Sequence, residues 1–305
     1  FPQNEMVIGK GAFEDCTALT AVDIPVGVTV DRGGVGVFEG CVNLTRIKTY
    51  WNFTMLGEKL GENCTLIIPD GIESIDDYAY AGRLRFASGC TRFSVELPNS
   101  VTRIGEAAFK GSGIKSIKIP SGVKRIGRCA FESCCQLEFV ELPEGLEGIE
   151  EFAFSGSGIK SVKITSSVKE IGRYAFGTCR QLEDVELSEG LEDIGSSAFS
   201  ESGIKSVKIP ASVKAIDDRV FKNCKHLESV ELCDGLNRIG EFAFSGSGIK
   251  SVKIPSSVKE IRRHAFESCS QLEAVELPEG LEDIGGSAFS GSGIKSVKIP
   301  ASVKT

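Results

Sequence analysis

Gly158-Ile159-Lys160-Ser161-Val162-Lys163-Ile164, then Val168, Ile171 and Ala175-Phe176, then Gln181-Leu182-Glu183-Asp184-Val185-Glu186-Leu187: this stretch decides the fold. Both seven-residue runs alternate apolar with polar or charged residues, as a short strand with one buried face does. Working outward, phenylalanine falls at 109, 131, 154, 176, 199, 221, 244, 266 and 289, so the spacing alternates between 22 and 23 residues and the unit is a 45-residue pair of coils. One coil has only about six inward apolar side chains and cannot bury them alone, so each must stack on its neighbours. Pro120, Pro143, Pro210, Pro255, Pro278 and Pro300 follow strands directly, where a missing N–H ends a ladder cheaply. The pattern predicts parallel strands of about four residues in one continuous curved sheet. Turns and short helical pieces around Ile171-Gly172-Arg173-Tyr174-Ala175-Phe176 are expected opposite.

Composition excludes several classes of function. Of 305 residues, 41% are apolar and 25% charged, and no stretch nears the roughly 18 apolar residues of a membrane span. A net charge of -7 opposes general binding to a phosphate backbone, so nucleic acid is not expected. Cys134, Cys179, Cys224 and Cys269 recur every 45 residues. Two coils separate them by roughly 10 Å, beyond the approximately 7 Å a disulfide allows, so free buried thiols are expected. The two histidines, His226 and His264, occupy non-equivalent places, and no His/Cys cluster has a zinc spacing. The Gly-Ser-Gly runs lack the Lys-Ser/Thr of a phosphate loop and are expected to be turns. Neither catalytic residues, nor a metal, nor a cofactor is expected. The chain starts at Phe1 and stops partway through a coil at Thr305, which suggests a piece of a longer protein.

Leu182-x-x-Val185-x-Leu187, Leu191-x-x-Ile194-Gly195-x-x-Ala198-Phe199 and Ala175-Phe176-x-x-Cys179 resemble the BspA-like (Treponema pallidum type) leucine-rich repeat. The resemblance covers Val95 to Val303 and extends loosely back to Ile8. It implies an α/β solenoid: a right-handed curved superhelix with one parallel sheet of short strands and an irregular or short-helical convex side. Residues 1–94 are expected to be irregular repeats with insertions in the same solenoid, and 95–305 regular repeats cut short at the C-terminus. By the same resemblance the protein is expected to be secreted or on the cell surface, an adhesin-like binder of matrix or cell-surface protein.

Outward charges alternate in sign from coil to coil. Lys118, Glu141, Lys163, Glu186, Lys208, Glu231, Lys253, Glu276 and Lys298 form one column, a second runs from Lys115 and Glu138 to Lys295, and a third from Lys124 and Glu147 to Lys304, broken only by Asn237. Such columns fix register, since like charges directly opposite on a sheet destabilise. Alternatively they form a ligand-contacting face.

The N-terminal part departs from the repeat. Tyr50, Trp51 and Phe53 cluster between strands expected at 45–49 and 65–68, and Tyr78, Tyr80, Arg83, Arg85 and Phe86 form a second mixed group. Tyr, Trp and Arg often anchor interfaces, so these residues are partner-binding candidates. They would equally serve to cap the first coils, as atypical terminal repeats do. Asn43, Asn52 and Asn63 each open an Asn-x-Thr sequon, an acceptor for sugars in a eukaryotic secreted protein. Two non-enzymatic functions stay open: a protein-binding module, and a spacer within a larger surface protein.

Overall fold

The computed structural model describes residues 7–25, 27–30, 36–49, 64–81 and 93–304. Strands Ala21–Asp23, Arg46–Lys48, Thr65–Ile67, Phe93–Glu96, Ile114–Lys118 and Phe139–Glu141 pair in parallel, and Ser161–Ile164, Asp184–Leu187, Ser206–Ile209, Ser229–Leu232, Ser251–Lys253 and Ala274–Glu276 continue the row. A second row of two-residue parallel strands runs from Ser74–Ile75 to Asp193–Ile194 and resumes from Ala215–Ile216 to Asp283–Ile284. The chain is thus a parallel β-solenoid with two rows of strands, where one sheet was expected. Proline or its substitute ends the long strand, and two turn residues later the chain is extended again, long enough for a second short ladder.

No helix occurs among the described residues, which overturns the expected short-helical side. The reason lies in where the N–H groups of the turn point. Ala153 donates locally to the Glu150 carbonyl at 3.2 Å and Ser155 to that of Phe152 at 3.1 Å. The intervening Phe152, Phe154 and Gly156 donate to Arg173, Ala175 and Gly177 of the next coil, at 2.9, 2.8 and 2.8 Å. A helix needs every N–H to bond within its own segment. Here every second one serves the stack, and the chain achieves this by setting Phe152 at φ 57° and Gly156 at φ 66°. For a non-glycine residue that conformation costs roughly 1–2 kcal/mol, which the inter-coil hydrogen bonds offset.

Inside, each coil contributes a ring to one column. From Tyr80 through Phe109, Phe131 and Phe154 to Phe289 the rings stack nearly parallel, with centroids 5.2 Å apart at the start and 5.2 Å at the end. Each offset-stacked pair adds about 0.5–1.5 kcal/mol beyond its buried area. Beside the rings, serine and cysteine alternate. The Cys179 thiol donates to the Phe154 carbonyl at 3.1 Å and lies 3.4 Å from Ser157 Oγ; Cys134, Cys224 and Cys269 repeat the arrangement. All four thiols are buried and free.

The coils are not evenly joined. Ser161–Ile164 is in full register with Asp184–Leu187, and Ser206–Ile209 with Ser229–Leu232. Between these couples pairing narrows to Asp184↔Ser206 and Ser229↔Ser251. At the junction between the coils of Asp184 and Ser206 both rows weaken. The short-strand row is interrupted there, between Ile194 and Ala215, and the Phe199–Phe221 spacing widens to 5.7 Å.

Candidate functional site

The long-strand row presents a polar outer face. In Ser161–Ile164, Val162 and Ile164 point inward while Ser161 and Lys163 are exposed. Register aligns Ser94, Ser116 and Phe139 in one sheet and Ser161, Asp184, Ser206, Ser229 and Ser251 in the next, at the equivalent place of each coil. Phe139 breaks this serine-rich row: it stands opposite Ser116 and is 53% exposed. Next to its strand an open cavity of about 430 Å3 is lined by Val140, Val162, Val185 and the Ser161, Asp184 and Ser206 edge. It lies where the Phe139–Glu141 and Ser161–Ile164 strands belong to different sheets.

Flanking this row, the first charge column forms separate pairs in place of an unbroken ladder. Lys118 reaches Glu141 at 2.6 Å, Lys163 reaches Glu186 at 3.1 Å, Lys208 reaches Glu231 at 2.7 Å and Lys253 reaches Glu276 at 3.9 Å. Lys298 turns to Glu279, at 2.9 Å. These pairs follow the fully registered junctions. The second column pairs in the opposite phase: Glu138–Lys160 at 2.9 Å, Glu183–Lys205 at 2.5 Å, Glu228–Lys250 at 2.5 Å and Glu273–Lys295 at 2.9 Å. Glu183 and Lys205 adjoin Asp184 and Ser206, the one registered contact of the narrow junction, which explains why this column closes it. The Lys205 and Lys250 ammonium groups hold the Glu183 and Glu228 carboxyls below the usual carboxylate range. The face therefore carries many charges and little net field.

The N-terminal candidates divide. Tyr78 is 55% exposed and its hydroxyl donates to Glu106 at 3.2 Å, a contact that raises the phenol pKa. Tyr80 is 1% exposed and is corrected from a partner-binding candidate to a core residue: it occupies the ring column and stacks on Phe109 at 5.2 Å. Tyr50, Trp51, Phe53, Arg83, Arg85, Phe86, Asn52 and Asn63 lie outside the described residues. Asn43 is exposed, with its amide donating to the Thr17 carbonyl at 2.7 Å. Phe139 was not singled out in the sequence reading, although one signal marks it: it stands where Ser116, Ser161 and Ser206 stand in neighbouring coils. Among the described residues no three His, Cys, Asp or Glu side chains are placed to hold a metal, and no helix is long and apolar enough to cross a membrane.

A family model for the BspA type leucine rich repeat region, in six copies, matches residues 1–87, 102–226 and 192–305. Among solved structures, the chain is similar to a leucine-rich repeat protein from Bacteroides ovatus: 27% identity, 89% of this chain and 84% of that one covered, TM-score 0.51. It is also similar to a leucine rich cell surface protein from Faecalibacterium prausnitzii, at 27% identity over 94% of this chain and 80% of that one, TM-score 0.46. For the T. pallidum leucine rich repeat protein the values are 25% identity, 60% and 75% coverage and TM-score 0.44. No curated protein matches. With the repeat model matching most of its length and a coil geometry that needs those repeat residues as its core, the chain belongs to the BspA-type leucine-rich repeat family.

Proposed function

We propose that the protein is a non-enzymatic binding module, adhesin-like and displayed on a cell surface or secreted, which grips a protein partner along its long-strand face. The observation that carries this reading is Phe139, a large exposed aromatic ring in a serine-rich row beside an open cavity. Large aromatic side chains, Phe among them, are enriched at protein interfaces relative to the rest of the surface. Family membership supports the surface location and the macromolecular class of partner. The test is capture of purified matrix proteins and intact cells by the protein and by Phe139→Ser. Retention of a specific partner that drops about tenfold or more in the variant, with an unchanged melting curve, supports the reading. Retention of nothing, or equal retention by both proteins, defeats it.

One observation favours the second reading, a spacer or display segment. The lysines and glutamates flanking the face neutralise one another pairwise, which leaves no field of one sign to steer a partner.

A further inference from the structure

On the row of turns, the residue two places before each spine ring from Tyr80 to Phe289 sits at positive φ. Glycine takes that conformation without strain, yet the positions hold Phe152, Tyr174, Arg219, Phe242 and His264 among others. Their side chains gather into two clusters. Phe152 stacks on Tyr174 at 5.1 Å, with the Arg173 guanidinium 5.3 Å from the Tyr174 ring centre. Four coils further on, Phe242 stacks on His264 at 4.5 Å, and Arg219 and Lys222 lie 5.3 and 4.9 Å from the Phe242 ring centre.

The charges in these turns differ from those on the long-strand face. Among the described residues, no ion pair holds Arg173, Arg219 or Lys222. The acids nearby are mostly committed. Asp218 accepts the Glu241 N–H at 2.8 Å, Glu151 lies 3.5 Å from Arg128, and Glu267 lies 3.2 Å from His264 Nδ1. Glu241 is the remaining carboxylate beside them. The Ser197 hydroxyl holds the Tyr174 phenol below its ordinary pKa, with smaller contributions from Arg173 and Arg219.

We propose that this row of turns is a second docking surface, for an extended acidic protein segment whose carboxylates bind Arg173, Arg219 and Lys222. The proposal rests on the reading of the chain as a protein-binding module but uses a different side of the coil. Two features select the occupant. First, ring faces here are taken up by stacking and by cations, so a partner meets mainly ring edges, which carry partial positive charge and suit anions better than sugar faces. Second, Arg173 and Arg219 lie two coils, or about 10 Å, apart, a distance an extended segment covers in about three residues.

The test is fluorescence anisotropy of a labelled oligoglutamate peptide against the full chain at low salt, with oligolysine as the opposite-charge control and heparin as competitor. The expected result is oligoglutamate binding that weakens with salt and falls about tenfold or more in Arg173→Ala/Arg219→Ala/Lys222→Ala, whose melting curve stays cooperative. Phe139→Ser leaves this binding unchanged, so a failure of the long-strand face and a failure of the turn surface register separately. Absence of oligoglutamate binding, binding equal in the triple variant, or a clear preference of the same residues for heparin overturns the proposal. Should the triple variant unfold, charge reversal at the exposed Arg219 alone, Arg219→Glu, must still weaken oligoglutamate and favour oligolysine.

Discussion

At the scale of single residues, burial decides chemistry. Cys134 is pushed up to about 12, and Cys179 and Cys224 to about 11, by removal from water. Since the thiolate is the reactive form, these thiols are expected to resist alkylation at pH 8 while the exposed Cys16 and Cys135 react within minutes. Peptide mapping by mass spectrometry after timed labelling checks this; early modification of Cys179 would contradict the buried ladder. Asp217 gives a prediction of opposite kind. Burial raises its carboxyl pKa, with Asp218 and Asp193 adding to the rise and Arg238, 3.1 Å away, opposing it. A raised folded-state pKa means stability that is whole below the unfolded value near 3.9 and is lost as pH rises through the folded one. Asp217→Asn should therefore raise Tm at pH 7 and change it little at pH 3, as followed by circular dichroism. The phenylalanines and cysteines were legible in the sequence because their spacing is the coil. Tyr80 was not: it replaces phenylalanine in the ring column where insertions hide the period, so its aromatic character read as interfacial.

At the scale of elements, the strands were more legible than the turns. Alternation in Ser161–Ile164 and Asp184–Leu187 fixes inward and outward faces directly. The turn Arg173 to Thr178 carries helix-compatible residues, and nothing in residue type reveals that Tyr174 and Thr178 take φ values of 54° and 56°. That conformation is imposed by hydrogen bonds to the next coil, a tertiary cause invisible to local propensity. The same locality limits the charge columns: sequence gives the signs, while register decides which neighbour each lysine reaches. Lys208→Glu should produce a small, salt-sensitive fall in Tm, since the Lys208–Glu231 pair is exposed. Adding Glu231→Lys should restore it, whereas adding Glu186→Lys should restore less. Equal rescue by both would mean that Lys208 serves its two neighbours alike.

For the whole molecule, the 45-residue pair is the unit that can be copied or removed. Excising residues 161–205 rejoins a serine coil to a cysteine coil in the correct order and should leave a cooperative unfolding transition in urea. Excising residues 186–207 instead brings like coils together, setting lysine against lysine and cysteine against cysteine, and should broaden or abolish that transition. Repeat arrays respond in this way because stability is shared between intrinsic terms and nearest-neighbour interfaces.

The poorly matched boundary between the coils of Asp184 and Ser206, with its interrupted short-strand row and 5.7 Å ring spacing, also has a mechanical meaning. Stretched between its ends, the array should tear there first. Further rupture should then release chain in jumps of one coil pair, each up to about 150 Å of contour. A protein tethered under flow would thus extend in steps before its anchor lets go.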